Sequence, residues 1–263
     1  MDGTLESMLL SESEDTSTCG RLAAFTVGTI GILYITWEEG IAISESGCLE
    51  KKIPPMKSEY PGNIVLESGP LESTGGKVWH ASIEFFDFLK FRSDLTLLNC
   101  QAIELGSGCG WLGLRLCKEF PDMKLTMTEQ GNFGALDWLR HNVNLNESID
   151  VDVAELDWGH VSEDISNESW DVILGSELVY SYEGARLLPR VISRLLNKPS
   201  SVCYYCHSLY RFEAIDEVLI EEFKSNNLSF EIVYGESAFA DFGSYTSLFP
   251  DLQTVIFRIV RNT

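Results

Sequence analysis

The chain has 263 residues, of which 44% are hydrophobic, 40 are acidic and 19 are basic. This hydrophobic content is enough for a sizeable core, which excludes disorder along the whole chain. The formal net charge of -21 would repel nucleic acid and anionic membranes, so we expect neither as a partner; a basic protein partner fits better, although acidic surfaces also serve solubility.

Seven cysteines lie mostly within apolar runs, which is typical of buried thiols in a reducing compartment. The sequence shows no signal peptide pattern and no apolar run of membrane-spanning length, so we expect a cytoplasmic protein, with the nucleus as a second location. Cys203 and Cys206 have C-x-x-C spacing, but they lie in a β-like run without a second cysteine pair. The four histidines also lack metal-ligand spacing, so no metal site is predicted.

Composition divides the chain into three predicted parts. Residues 1–20 are acidic and rich in Ser and Thr, which favours a flexible tail. Residues 21–75 contain an apolar, β-branched run followed by a Gly, Pro and Ser-rich stretch, which indicates a β-rich extension. Residues 76–263 form the third part, an α/β domain that begins with a helical stripe over 78–89.

Strands and helices alternate after that helix. The apolar patterns predict strands near 100–105, 124–128, 149–155, 170–175 and 200–207, with helices near 111–119, 132–143, 183–197 and 211–225. Alternation of this kind is typical of a parallel sheet with helices on both faces. Two further runs, 230–234 and 254–260, could pair antiparallel at an edge. The predicted fold is therefore Rossmann-like, with a seven-stranded, mostly parallel sheet and an antiparallel C-terminal edge.

A glycine-rich turn follows the first of these strands. The turn contains Gly106, Ser107, Gly108 and Gly110, and the next helix begins directly after it. Glycine permits a tight turn and close approach to a ligand, and the helix offers free N–H groups. The run from Gly108 to Gly113 also matches G-x-G-x-x-G, which keeps a nicotinamide dinucleotide as an alternative. Glu104, before the first glycine, resembles the acid of the E/D-x-G-x-G-x-G motif in class I methyltransferases.

Two more sites along the chain favour S-adenosylmethionine as the cofactor. Glu129 ends a strand about 20 residues downstream and suits ribose hydroxyls in either cofactor. Asp157 and Trp158 follow the third strand, where class I methyltransferases contact adenine, so Asp157 could accept from the adenine amine and Trp158 could stack. Alternatively, Asp157 is a turn residue and Trp158 a core residue. The neighbouring polar residues Gln130 and Ser176 complete the predicted cofactor contacts, together with Trp79.

The sequence Glu177-Leu-Val-Tyr180 fits the [D/E]-x-x-[Y/F] motif found after the fourth strand in methyltransferase family 16. The chain also resembles that family at Val78-Trp79, at 141–144 and at 156–159, and the resemblance covers about 75–210. It implies methylation of a lysine in a protein substrate, such as a chaperone, an elongation factor or another ATPase; some relatives modify histidine. Aspartate is more usual in the family at 129 and 177.

The resemblance assigns catalytic roles to Glu177 and Tyr180. A lysine amine has a pKa near 10.4 and must lose a proton before it attacks a methyl group. We expect Glu177 to capture and orient the lysine, the proton to pass to water, and Tyr180 and Trp79 to form apolar walls around the lysine stem. Alternatively, Glu177 caps the next helix and Tyr180 belongs to the core.

We expect the protein to act as a monomer without a metal. Two other functions stay open: a small-molecule N-methyltransferase, which would use the same cofactor residues, and a non-catalytic binding module that retains the fold.

Overall fold

The computed structural model describes residues 22–26, 32–36, 57–60, 63–67, 76–91, 97, 99–209, 213–235 and 253–262. The chain divides into two compact units, Met1–Lys52 and Ile53–Thr263. In the first unit, β1 (Leu22–Thr26) and β2 (Ile32–Thr36) pair antiparallel. The predicted tail, 1–20, lies outside the described residues. None of the helices in the described ranges is long and apolar enough to span a membrane.

The second unit begins with an antiparallel hairpin of β3 (Lys57–Tyr60) and β4 (Ile64–Glu67). Residues 57–60 and 63–67 fall within the predicted extension, 21–75, and they belong to the same compact unit as the α/β domain. The elements that follow are α1 (His80–Phe91), β5 (Gln101–Leu105), α2 (Trp111–Glu119), β6 (Lys124–Glu129), α3 (Ala135–Asn144), β7 (Asp152–Glu155), α4 (Glu163–Asn167), β8 (Val172–Ser176), α5 (Tyr182–Leu195), β9 (Val202–Leu209), α6 (Glu213–Ser225), β10 (Leu228–Tyr234) and β11 (Gln253–Arg261).

Seven strands form one sheet in the order β10-β11-β9-β8-β5-β6-β7. The five strands from β5 to β9 are parallel, whereas β11 runs antiparallel to both β9 and β10. Helices α5 and α6 cover one face, and α1 and α2 cover the other. The predicted Rossmann-like fold with an antiparallel C-terminal edge is confirmed.

The strand order changes direction at β5: the next strand in sequence, β6, lies on one side of β5, and β8 lies on the other. In open parallel sheets, ligands bind at such a switch point, outside the carboxyl ends of the strands. Helix α1 also reaches this edge, because the Ser82 hydroxyl donates to the Ser176 hydroxyl at the end of β8 (3.2 Å). The topology therefore predicts that a ligand binds at the loops after β5, β6 and β8.

Two buried asparagines, Asn142 of α3 and Asn146 just after that helix, attach β4 to the sheet domain. Asn146 pairs with both backbone groups of Val65, and Asn142 accepts from the Glu67 N–H (2.9 Å). The Asn142 amide also donates to the Cys109 carbonyl (3.0 Å), which lies in the glycine-rich turn. These side chains satisfy backbone groups that a neighbouring strand would otherwise pair. The β3–β4 hairpin thereby supports the turn from outside the main sheet.

The C-x-x-C pair of β9 cannot converge on one ion. Residues three apart on a strand point to opposite faces, and Cys203 and Cys206 belong to the cores on opposite sides of the sheet. Among the described residues, no group of three or more His, Cys, Asp or Glu side chains could hold a metal.

Candidate active site

The glycine-rich turn after β5 is built from left-handed backbone. Gly106 has φ +57° and Gly110 has φ +89°, which L side chains rarely adopt. A β-carbon at Gly106 would lie 2.6 Å from Cδ2 of Leu178. The turn is fastened to β6, since the Ser107 N–H donates to the Thr128 carbonyl (2.8 Å) and the Ser107 hydroxyl accepts from the Thr128 N–H (3.2 Å). Ser107 therefore fixes the turn.

Glu104 lies at the base of this turn and is only 3% exposed. Its Oε2 has no hydrogen-bond partner among the described residues. Burial raises the pKa of Glu104 to about 8, the nearby charge of Glu129 adds to the rise, and Ser107 and the Gly113 N–H partly offset it. A buried acceptor without a donor is costly, so this oxygen is suited to a cationic or N–H ligand.

Glu129 ends β6 beside the turn. Its Oε1 accepts from the Gly108 N–H (3.1 Å), and its Oε2 accepts from the Gln130 N–H (2.8 Å). Burial raises its pKa, and these two backbone donors lower it in part. Each carboxylate oxygen has a second lone pair, so the group can still accept from ligand hydroxyls. The Gln130 side chain is exposed and lies outside this hydrogen-bond pair.

Asp157 and Trp158 follow β7. Asp157 accepts from the Gly159 N–H (2.8 Å), which is the turn role considered as the alternative from the sequence. Trp158 is half-buried, and its Cζ2 lies 3.9 Å from the position of a β-carbon on Gly106. The structure therefore places the indole beside the glycine-rich turn.

Glu177 follows β8 with φ +55°, a left-handed conformation that is uncommon outside glycine. Its N–H donates to the Cys206 carbonyl (3.0 Å), and its Oε1 accepts from the Ser208 N–H (2.6 Å). Both partners belong to β9. Strained backbone of this kind persists where surrounding contacts hold it, and it is common at functional sites.

Leu178 joins the two loops. Its side chain fills the space above Gly106 and also lies 2.7 Å from the position of a β-carbon on Gly175. Leu178 thus packs against the glycine-rich turn while its neighbour Glu177 is held by β9. The predicted catalytic acid and the predicted cofactor turn consequently lie at one edge of the sheet.

Aromatic side chains lie exposed near this edge. Tyr180 is 52% exposed and Trp79 is 39% exposed, so neither is a core residue. Trp79 precedes α1 and caps its first turn, since its carbonyl accepts from the Ser82 N–H (3.0 Å). Ser176 contacts Ser82 through its hydroxyl.

Sequence reasoning missed several residues that shape the site. Leu178 was hidden inside the Glu177-x-x-Tyr180 motif, where only the two ends carry recognisable chemistry. Ser208 contributes its backbone N–H, which no sequence pattern reveals, and Ser82 gave no signal beyond its place in a helix.

S-adenosylmethionine suits the residues at this edge. The turn offers a close approach at Gly106, Glu129 has free acceptor capacity for ribose hydroxyls, and the buried Glu104 oxygen can accept from an ammonium group. Trp158 offers an apolar ring beside the turn. This donor set fits the cofactor that the sequence predicts.

Comparison with known proteins agrees with this chemistry. A family model described as lysine methyltransferase matches residues 61–225. Protein-lysine N-methyltransferase EFM3 of Chaetomium thermophilum is 29% identical over 150 residues, which cover 52% of this chain and 43% of EFM3. Mouse protein N-lysine methyltransferase METTL21A is 28% identical over 137 residues, which cover 51% of this chain and 61% of METTL21A. The match thus spans less than two thirds of either relative.

Among solved structures, the [4+2]-cyclase SpnF superposes with a TM-score of 0.51 at 15% identity, covering 73% of this chain and 85% of SpnF. This similarity shows the fold alone.

Proposed function

The chain belongs to the lysine methyltransferase family, and from this premise we propose that it transfers a methyl group from S-adenosylmethionine to a lysine side chain in a protein. The packing of Leu178 against Gly106 carries the proposal, because it brings Glu177 to the same edge as the cofactor turn. The names of EFM3 and METTL21A support lysine as the acceptor.

Three acidic residues would hold the cofactor. Glu129 would accept from the ribose hydroxyls, Asp157 would face the adenine amine beside Trp158, and Glu104 would accept from the ammonium group of the methionine part. When bound, S-adenosylmethionine supplies an electrophilic methyl group on a positively charged sulfur. Gly106, Gly108 and Gly110 allow the backbone to approach it, and Gln130 and Ser176 flank the site.

Glu177 would capture the lysine and orient it. The Ser208 N–H donates to Oε1 of this carboxylate, which fixes the orientation of the group. The lysine proton would pass to water before the amine attacks, since the free amine is the nucleophile. The exposed rings of Tyr180 and Trp79 would hold the lysine stem, because a side chain from another protein can reach them. Alignment of the amine would then supply much of the rate.

The substrate we propose is a basic segment of a chaperone, an elongation factor or another ATPase. The net charge of -21 supports a basic segment and also disfavours association of two copies, so we propose a monomer. The buried free thiols Cys100, Cys109, Cys117, Cys203 and Cys206 are compatible with a reducing compartment. On this basis we propose the cytoplasm, with the nucleus as a second location.

The test is transfer of label from methyl-tritiated S-adenosylmethionine into a cell lysate, followed by separation of protein, RNA and small-molecule fractions. Label in protein, recovered as methyl-lysine after hydrolysis, is expected for the wild type and should be lost in Glu177→Gln. Glu183→Gln, an exposed acid six residues further on, is the matched control and should retain transfer. Label confined to small molecules or RNA, or transfer undiminished in Glu177→Gln, would contradict the proposal.

A further inference from the structure

The Asn142 side chain lies between the glycine-rich turn and the β3–β4 hairpin, and it is fully buried. Its Oδ1 accepts from the Glu67 N–H at the end of β4 (2.9 Å). Its Nδ2 donates to the Cys109 carbonyl in the turn (3.0 Å) and, at 3.4 Å, to the Glu67 carbonyl. One amide group therefore connects the turn to a strand that is separate from the main sheet.

The partners of Asn142 fix which way its amide points. A backbone N–H can only donate, so the atom that faces the Glu67 N–H must be the amide oxygen. A backbone carbonyl can only accept, so the atom that faces Cys109 must be the amide nitrogen. Glu67 thereby orients Asn142 so that it donates to the turn.

The Cys109 carbonyl needs such a donor, because it lies just outside the hydrogen-bond ladder of α2. The first carbonyl in that ladder is the one of Gly110, which accepts from the Leu114 N–H (3.0 Å). The Gly110 N–H belongs to the same peptide group as the Cys109 carbonyl, and it donates to the Ser107 carbonyl (2.9 Å). The peptide between 109 and 110 is thus held at both of its polar atoms.

Apolar contacts bring α3 against the same part of the turn. A β-carbon on Gly110 would lie 2.9 Å from Cδ1 of Leu139, which is three residues before Asn142 and therefore on the same face of the helix. Ile64 and Leu66 of β4 are buried in the same apolar core as Leu139. The turn, α3 and β4 consequently pack as one layer.

We propose that Asn142 is a positioning residue for S-adenosylmethionine binding, and that the β3–β4 hairpin belongs to the support of the cofactor turn. This inference rests on the cofactor of the proposed function and does not depend on the methyl acceptor. Without the Asn142 donor, the peptide after Cys109 can rotate, so a smaller fraction of the protein has the turn ready for the ligand. The apparent dissociation constant rises as that fraction falls.

The first test is calorimetric titration of Asn142→Leu with S-adenosylmethionine. The net contribution of one hydrogen bond corresponds to about two- to tenfold in an equilibrium constant, so the dissociation constant should rise by about fivefold or more. Asn146→Leu is the matched control, because Asn146 also binds β4 through buried hydrogen bonds but makes its contacts with Val65 and Asn142 rather than with the turn. Its affinity should stay within about twofold of the wild type.

Asn142→Asp is the second variant and keeps the shape of the side chain. Its carboxylate can still accept from the Glu67 N–H, but it has no N–H to donate to the Cys109 carbonyl. Affinity should again fall, and amide exchange at Gly110 should accelerate by about fivefold, since the peptide that this N–H shares with Cys109 is released. In an active enzyme, kcat at saturating S-adenosylmethionine should change by less than about twofold.

The wild type alone provides a third test, because coupling between two sites is reciprocal. Saturating S-adenosylmethionine should slow amide exchange at Glu67 by about fivefold. Exchange at Asn262, whose N–H donates to the Asn227 carbonyl at the far edge of the sheet (2.9 Å), should not change. This measurement decides the inference even if both Asn142 variants fail to fold.

Weaker binding in the Asn142 variants with normal binding in Asn146→Leu supports the positioning role, as does selective protection of Glu67 in the wild type. Unchanged affinity in Asn142→Leu overturns it, and so does an equal loss of affinity in Asn146→Leu, which would indicate general damage to the fold. Glu67 exchange that does not respond to the cofactor also overturns it. Absence of methyl transfer to protein would contradict the proposed function alone, and the binding data would still decide the inference.

Discussion

Replacement of Glu104 by glutamine should reduce the pH dependence of the free energy of unfolding between about pH 5 and about pH 8. Burial raises the pKa of this carboxyl to about 8, against an ordinary value of 4.5. The folded protein therefore keeps the Glu104 proton over a range in which the unfolded chain has lost it. As the pH rises through this range, unfolding becomes more favourable, and glutamine cannot contribute to this effect because it does not titrate.

The size of the effect follows from the difference between the two pKa values. One pKa unit corresponds to about 1.4 kcal/mol. The stability that the raised pKa of Glu104 removes from the folded protein therefore grows to about 3 kcal/mol at pH 7 and to about 5 kcal/mol above pH 8. Below about pH 4.5 the cost vanishes, since the carboxyl is protonated in both states. Relative to the wild type, Glu104→Gln should therefore gain stability with rising pH.

Urea unfolding of both proteins at several pH values measures this difference directly. The test uses only how the difference in free energy of unfolding between variant and wild type changes with pH. The new amide has its own hydrogen bonds, and these shift stability by an amount that does not depend on pH. A difference that stays flat from about pH 5 to about pH 8 would refute the raised pKa.

The same carboxyl links cofactor binding to proton release. A bound ammonium group would favour the charged carboxylate, so binding of S-adenosylmethionine at pH 7 should release up to about 0.9 proton from Glu104. Calorimetry in two buffers with different ionisation enthalpies measures this number, and Glu104→Gln should abolish the release. Equal proton release by the variant would show that another group is responsible.

Three further variants test other parts of the site. Gly106→Ala should lower the free energy of unfolding by about 3 kcal/mol, because its β-carbon would clash with the Leu178 side chain. Gly134→Ala is the control: Gly134 is also left-handed but has no atom within 4 Å of the β-carbon position, so the variant should lose only about 1 kcal/mol. Equal losses in urea unfolding would contradict the packing argument. Asn142→Leu should cost about 3 kcal/mol by leaving buried backbone groups unpaired, and the exposed Asn144→Leu should change stability by less than about 0.5 kcal/mol in the same assay. Trp158→Ala should weaken S-adenosylmethionine binding about tenfold in calorimetry, and unchanged affinity would place the indole outside the cofactor site.

The central strands were predictable because they are buried on both faces and read as apolar runs. The predicted edges shifted where apolar residues serve another purpose: the third strand was predicted from 149, but β7 begins at Asp152, because Ile149 and Val151 pack against the core from the preceding loop. The helix predicted from 132 begins instead at Ala135, since Gly134 is left-handed and breaks the helical path. Local patterns thus identified the elements, while tertiary contacts set their ends.

The position of two acidic residues of the candidate site could be predicted for a related reason. Glu129 and Glu177 each follow a predicted strand, and carboxyl ends of parallel strands meet at one edge. Their assigned roles stay predictions until they are measured. The contacts that support them were not predictable: β4 is held by the amide side chains of Asn142 and Asn146, and the hydrogen bond between His207 and Asp216 depends on how α6 packs over β9. Neither arrangement has a periodic or spaced pattern.

The packing of Leu178 over two glycines also limits how the sequence can change. A side chain at Gly175 could be accommodated by a smaller residue at 178, because Gly175 does not need left-handed backbone. Gly106 cannot take part in this exchange, since its backbone conformation penalises any β-carbon even when space is available. Homologous sequences should accordingly show correlated side-chain sizes at positions 175 and 178, together with an invariant glycine at 106. A Gly175→Ala, Leu178→Ala double variant should be more stable than the sum of its two single variants predicts.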